Sequence, residues 1–86
     1  MNISVTKNEV GAERVWFEDT QLHVALTDGR TIVLPITQVP WLQWLAQASP
    51  EERANWSIEP GGYAVYWEAL DDGFEVVHAL SLESVM

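Results

Sequence analysis

No cysteine occurs in the 86 residues, so disulfides and thiolate-held metal centres are closed to this chain. Thiol nucleophiles are excluded for the same reason, and the absence suits a reducing, cytoplasmic setting. Basic residues are scarce. Four Lys and Arg stand against 13 Asp and Glu, a formal net charge of −9. Nucleic-acid affinity rests on cations displacing counterions from phosphates, so direct nucleic-acid binding is not expected, nor is attraction to an anionic membrane. Long apolar runs are missing too. The longest, "IVLPI" at 32–36, falls far short of the roughly 20 residues that span a bilayer as a helix. The polar opening "MNISVTKNEV" has nothing of a secretory leader.

What is present reads as one globular domain, residues 1–86. Hydrophobic residues make up 48% and charged residues 20%, a balance that can build a core. At this size the net stability should be about 4–13 kcal/mol. The first half alternates: Leu22, Val24 and Leu26 against His23 and Ala25, then Ile32, Leu34 and Ile36 against Val33 and Pro35. A two-residue Asp28–Gly29 loop would throw these two apolar rows onto opposite faces. A three-residue Thr27–Gly29 loop pairs Val24 with Ile32 and Leu22 with Leu34, so the longer loop is expected, with Gly29 left-handed. "RVWFEDTQ" reads as a further strand, with Val15 and Phe17 on one face and Trp16 on the other, and "ISVT" as a short N-terminal one.

The period changes at Pro40. Trp41, Leu42, Trp44, Leu45 and Ala48 fall on one helical arc, opposite Gln43 and Gln47. "SPEERANW" carries a capping box, Ser49 with Glu52, that starts a short second helix ending near Asn55. "EPGG" is a loop, "YAVYW" a strand with Tyr63, Val65 and Trp67 on one face, "EALDDG" a turn, and "FEVV" a short strand. "HALSLESV" fits a strand or a closing helical turn. The expected fold is α+β: an antiparallel sheet with a helix and a short capped helix, residues 38–55, packed on one face.

The adjacent carboxylates Asp71 and Asp72 raise the question of chemistry. Neighbours in an extended chain point to opposite faces, and "DDGFE" lacks the alternate ligands of a calcium loop. Asp beside Gly is ordinary turn composition. His23 and His78 sit on distant elements without zinc-ligand spacing, and no G-x-S-x-G elbow or phosphate loop occurs. No catalytic residue, cofactor or resident metal is therefore assigned. Five tryptophans are more than a small core needs, and Trp beside acids is an interface composition. Trp41 and Trp67 suit the core, while Trp16 and Trp44 are placed to reach a surface.

Taken in order, "VWFEDTQLHVALTDGRTIVLPI", "PWLQWL", "ASPEERANW", "GYAVYW" and "LDDGFEV" resemble the small bacterial family of domain of unknown function 2442, over nearly the whole chain. That resemblance implies an α+β domain with no established catalytic residues. Some members look like one half of toxin–antitoxin-type pairs. Others carry an appended helix-turn-helix, for which this chain is too short. Glu68 and Gly73 stand where relatives tend to carry Pro and a further acid.

The leading expectation is a non-enzymatic interaction module, antitoxin-like, holding a basic partner protein through Trp16, Arg30, Trp44, Glu68, Asp71 and Asp72. Arg30 is included as an exposed base able to orient a partner carboxylate. The alternatives are a self-associating scaffold, a homo-oligomer with tryptophans at a two-fold contact, and a metal- or small-ligand-binding enzyme using Asp71, Asp72 and a histidine.

Overall fold

The computed structural model describes residues 10–85, with side-chain detail as far as Ser81. The expected strand at "ISVT" lies outside the described residues. β1 (Ala12–Glu18), β2 (Gln21–Leu26) and β3 (Thr31–Pro35) form one antiparallel meander. Val24 pairs with Ile32 and Leu22 with Leu34, the register that the longer loop demands. Leu26 N–H donates to Arg30 O at 2.8 Å, and Gly29 has φ +92°, so the apolar row of both strands faces inward. β1 carries an irregularity between Ala12 and Arg14 and puts Val15 in the core.

The strands divide into two sheets rather than one. β4 (Trp56–Ile58), β5 (Ala64–Trp67) and β6 (Asp72–Glu75) make a second antiparallel meander. Between the sheets, a 3-10 turn at Pro40–Leu42 runs into α1 (Gln43–Ala46), followed by α2 (Pro50–Ala54). The capping box is present: Glu52 N–H donates to Ser49 Oγ at 3.1 Å, and Ser49 N–H to Glu52 Oε1 at 2.9 Å. α3 (Val76–Val85) closes the chain.

Three details differ from the sequence reading. β4 is a strand over Trp56–Ile58, a stretch between the capped helix and the "EPGG" loop to which the sequence assigns no element. Val76 and Val77 open α3 instead of extending β6, because Val76 and Ala79 are fully buried and Leu80 partly so, a helical spacing that outweighs valine's preference for strands. Tyr63 does not join Val65 and Trp67. Its φ −74° and ψ −19° put it in a helical turn, where alternation does not hold, and it is exposed.

One apolar cluster serves both sheets. Leu22, Val24 and Ile32 from the first meet Leu42 and Leu45 from the helical segment and Val65 and Trp67 from the second, all essentially inaccessible to solvent. Where the sheets meet, backbone touches backbone. A Cβ on Gly62 would lie 2.8 Å from Ala12 O, and one on Gly11 2.8 Å from Gly61 O. Gly62 also has φ +76°, which a side chain would strain. Among the described residues no helix is long and apolar enough to cross a membrane.

Candidate interaction surface

The corner between β5 and β6 gathers the acids singled out by sequence. After Trp67 the chain makes a 3-10 turn at Glu68–Leu70, and Asp71 N–H donates to Glu68 O at 3.1 Å. Asp71 is left-handed, φ 52° and ψ 43°, a conformation Asp tolerates better than most residues because its short carboxylate bonds locally. Its Oδ1 accepts from the Tyr66 hydroxyl at 2.6 Å. Asp72 opens β6, and its Oδ1 accepts from Gly73 N–H at 2.8 Å. Both carboxylates thus shape the turn. Tyr66 senses the charge here: the Asp71 hydrogen bond, then burial, then the negative charges of Asp71, Glu68 and Asp72 raise its pKa above the ordinary phenol value.

Nothing basic answers this charge among the described residues. The ion pairs there are Asp28 with Arg30, at 2.8 Å, and Glu18 with His23, at 3.5 Å when the histidine is protonated. Arg14 lies over the Trp16 ring, 4.4 Å from its centroid. Arg53 donates to the carbonyls of Leu45 and Ala46. Among the described residues the carboxylates of Glu68, Asp71 and Asp72 have no cation of their own.

A groove opens on each side of the corner. One, about 460 Å³, is lined by Trp41, Trp44, Asp72, Phe74, Glu75 and His78. The other, about 490 Å³, is lined by Asn55, Trp56, Ser57 and Glu68 with two alanines. Each combines indole with carboxylate. Asp71, Asp72 and the histidines are not drawn into a chelate: no group of three or more His, Cys, Asp or Glu among the described residues could hold a metal ion.

The six residues named from sequence separate. Trp44, Glu68, Asp71 and Asp72 surround the corner, and Trp44 with Asp72 lines one groove. Trp44 is less free than expected: its Nε1 donates to Trp41 O at 2.8 Å and its ring stands edge-on to Trp67 at 5.7 Å. Trp16 belongs to the outer face of the first sheet, stacked on His23 at 5.2 Å. Arg30 is not a lone base. It closes its own hairpin by bonding Asp28 through both backbone and guanidinium, and chiefly through that backbone N–H it holds the Asp28 carboxyl below its usual range. Arg53 and Trp56 were missed. A single base inside the aromatic-flanked run "EERANW" was the available signal.

A family model described as "Protein of unknown function (DUF2442)" matches residues 12–76. The fold is similar to the crystal structure of a protein of unknown function from Rhodospirillum rubrum ATCC 11170, with a TM-score of 0.73 and 25% identity over 86% of this chain and 88% of that one. It is also similar to the solution NMR structure of an uncharacterized protein from Chromobacterium violaceum. There the TM-score is 0.72 and the identity 19%, over 91% of this chain and 71% of that one, a likeness of fold alone. No curated protein matches.

Proposed function

The chain belongs to the DUF2442 family of proteins of unknown function, and from that premise we propose that it is a non-enzymatic interaction module that holds a basic partner protein at the β5–β6 corner. One observation carries the reading. Among the described residues no cation compensates Glu68, Asp71 and Asp72, which lie between two tryptophan-lined grooves while the described arginines are engaged elsewhere. A lysine or arginine arriving there meets carboxylates that accept charge-assisted hydrogen bonds and indole rings that attract cations. The net charge of −9 draws such a partner in from a distance and speeds encounter. Catalysis by the pair is disfavoured because both carboxylates already bond within their own turn. The proposal is antitoxin-like in outline: an acidic chain covers basic surface on a small partner, in the cytoplasm.

The test is a stopped-flow titration with a Lys/Arg-rich peptide at several ionic strengths, read by tryptophan fluorescence. Reversing both charges, Asp71→Lys with Asp72→Lys, should slow association by about tenfold or more and flatten its salt dependence. An unchanged on-rate removes the corner from the interface. A stable dimer by light scattering over a wide concentration range would favour the scaffold instead.

A further inference from the structure

A cleft separate from the acidic corner combines features that point to a small ligand. It measures about 650 Å³, within the range of about 300–1,000 Å³ usual for ligand sites, and opens where the β1–β2 turn faces α2 and the start of β4. Val15, Phe17, Pro50 and Trp56 give it mainly apolar walls, with Trp16 at its edge. Two opposite charges line it as well, Asp19 from the turn and Arg53 from α2. They stand beyond ion-pair distance from each other, and neither forms an ion pair with any other described side chain.

Arg53 is held ready. Nε donates to Leu45 O at 3.1 Å and Nη2 to Ala46 O at 2.8 Å, and the guanidinium carbon lies 6.0 Å from the Phe17 ring centroid. A guanidinium has five N–H donors, so its Nη1 group is left without an acceptor among the described residues. The group is half-buried, its position fixed before any ligand arrives, which spares a ligand the ordering cost. Asp19 is fixed differently, at φ 56° in a two-residue turn flanked by the Glu18–Gln21 pair.

Charge decides the ligand class. A simple anion must approach a chain of net charge −9, and a simple cation must approach a half-buried arginine. A zwitterion escapes both penalties: its carboxylate can meet Arg53, its ammonium can meet Asp19, and an apolar side chain can displace water from the indole walls. We propose that this cleft binds a free α-amino acid with an aromatic or large aliphatic side chain. The inference goes beyond the interaction module and shares no carboxylate with its corner.

The experiment is ¹H–¹⁵N NMR of the whole chain titrated with L-phenylalanine, phenylacetate (carboxylate only) and phenethylamine (ammonium only). Phenylalanine at millimolar concentration should move the indole N–H signal of Trp56 and the Arg53 Nε–H. It should bind about tenfold more tightly than either analogue, since each lacks one charge-assisted bond. Asp19→Asn keeps the turn, because Asn also tolerates the left-handed region. It should weaken phenylalanine by about tenfold and leave phenylacetate unchanged. The proposal falls if those two signals stay still, if either analogue matches phenylalanine, or if Asp19→Asn weakens phenylalanine and phenylacetate alike.

Discussion

The two sheets solve the same problem by different means. The first has strands of seven, six and five residues, and hairpin turns join them. Its inner face is a row of aliphatic side chains. The second has strands of three, four and four residues, too short for the ladder alone to hold. It is pinned by side chains instead. Trp67, fully buried, donates its Nε1 to Arg53 O at 2.9 Å and meets Phe17, Trp44 and Phe74. Tyr66 ties the far corner through Asp71. The difference teaches where function can be housed: the long-stranded sheet supplies the frame, and the short-stranded one leaves its turns free to present charge and indole.

The sharpest way to break this contrast is Trp67→Ala. Losing a buried indole with its hydrogen bond should cost about 3–5 kcal/mol, read by urea denaturation. Hydrogen exchange should show β4–β6 amides losing protection first and β1–β3 retaining more. Equal loss in both sheets would erase the distinction. Ser49→Ala tests the joint between them and should cost about 1 kcal/mol by removing the α2 cap, with a lowered midpoint and an unchanged denaturant slope. The smallest effect lies at the corner. Asp71→Asn should bring the Tyr66 phenol back toward about 10, the ordinary tyrosine value, seen as tyrosinate absorbance in an alkaline titration. In the parent chain the folded pKa of Tyr66 is raised. The stability from this bond is therefore complete below the ordinary phenol value and lost as pH rises through the elevated one. The variant should show a smaller alkaline decline, since burial and the charges of Glu68 and Asp72 remain.

Legibility in the sequence follows the same division. Alternation over β2 and β3 was long enough to choose between two hairpin registers, and Ser49 with Glu52 announced α2 through a fixed spacing. The second sheet gave weaker signs. Three residues of β4 cannot display a period, and Tyr63 fell out of its apparent row because the preceding turn is helical. Val76 and Val77 read as strand by their branching, although Val76, Ala79 and Leu80 carried a helical spacing that settles the matter. The acidic corner could be read as a turn because Asp beside Gly is a local rule. The placing of Asp19 and Arg53 on the walls of one cleft could not, since residues 34 positions apart come to one cleft only through the folded arrangement of β1 and α2.

The contact between Gly11 and Gly62 acts as a clasp made of main chain alone, and it fixes where the molecule accepts additions. A fluorophore or an affinity handle placed at Gly62 would wedge the clasp apart, since the Cβ it brings would lie 2.8 Å from Ala12 O. The hairpin tip at Gly29 has room for an inserted loop, although its φ of +92° would strain any side chain substituted there. A Cβ added there meets nothing within 4 Å, and the hairpin beneath it is anchored by Asp28 and Arg30.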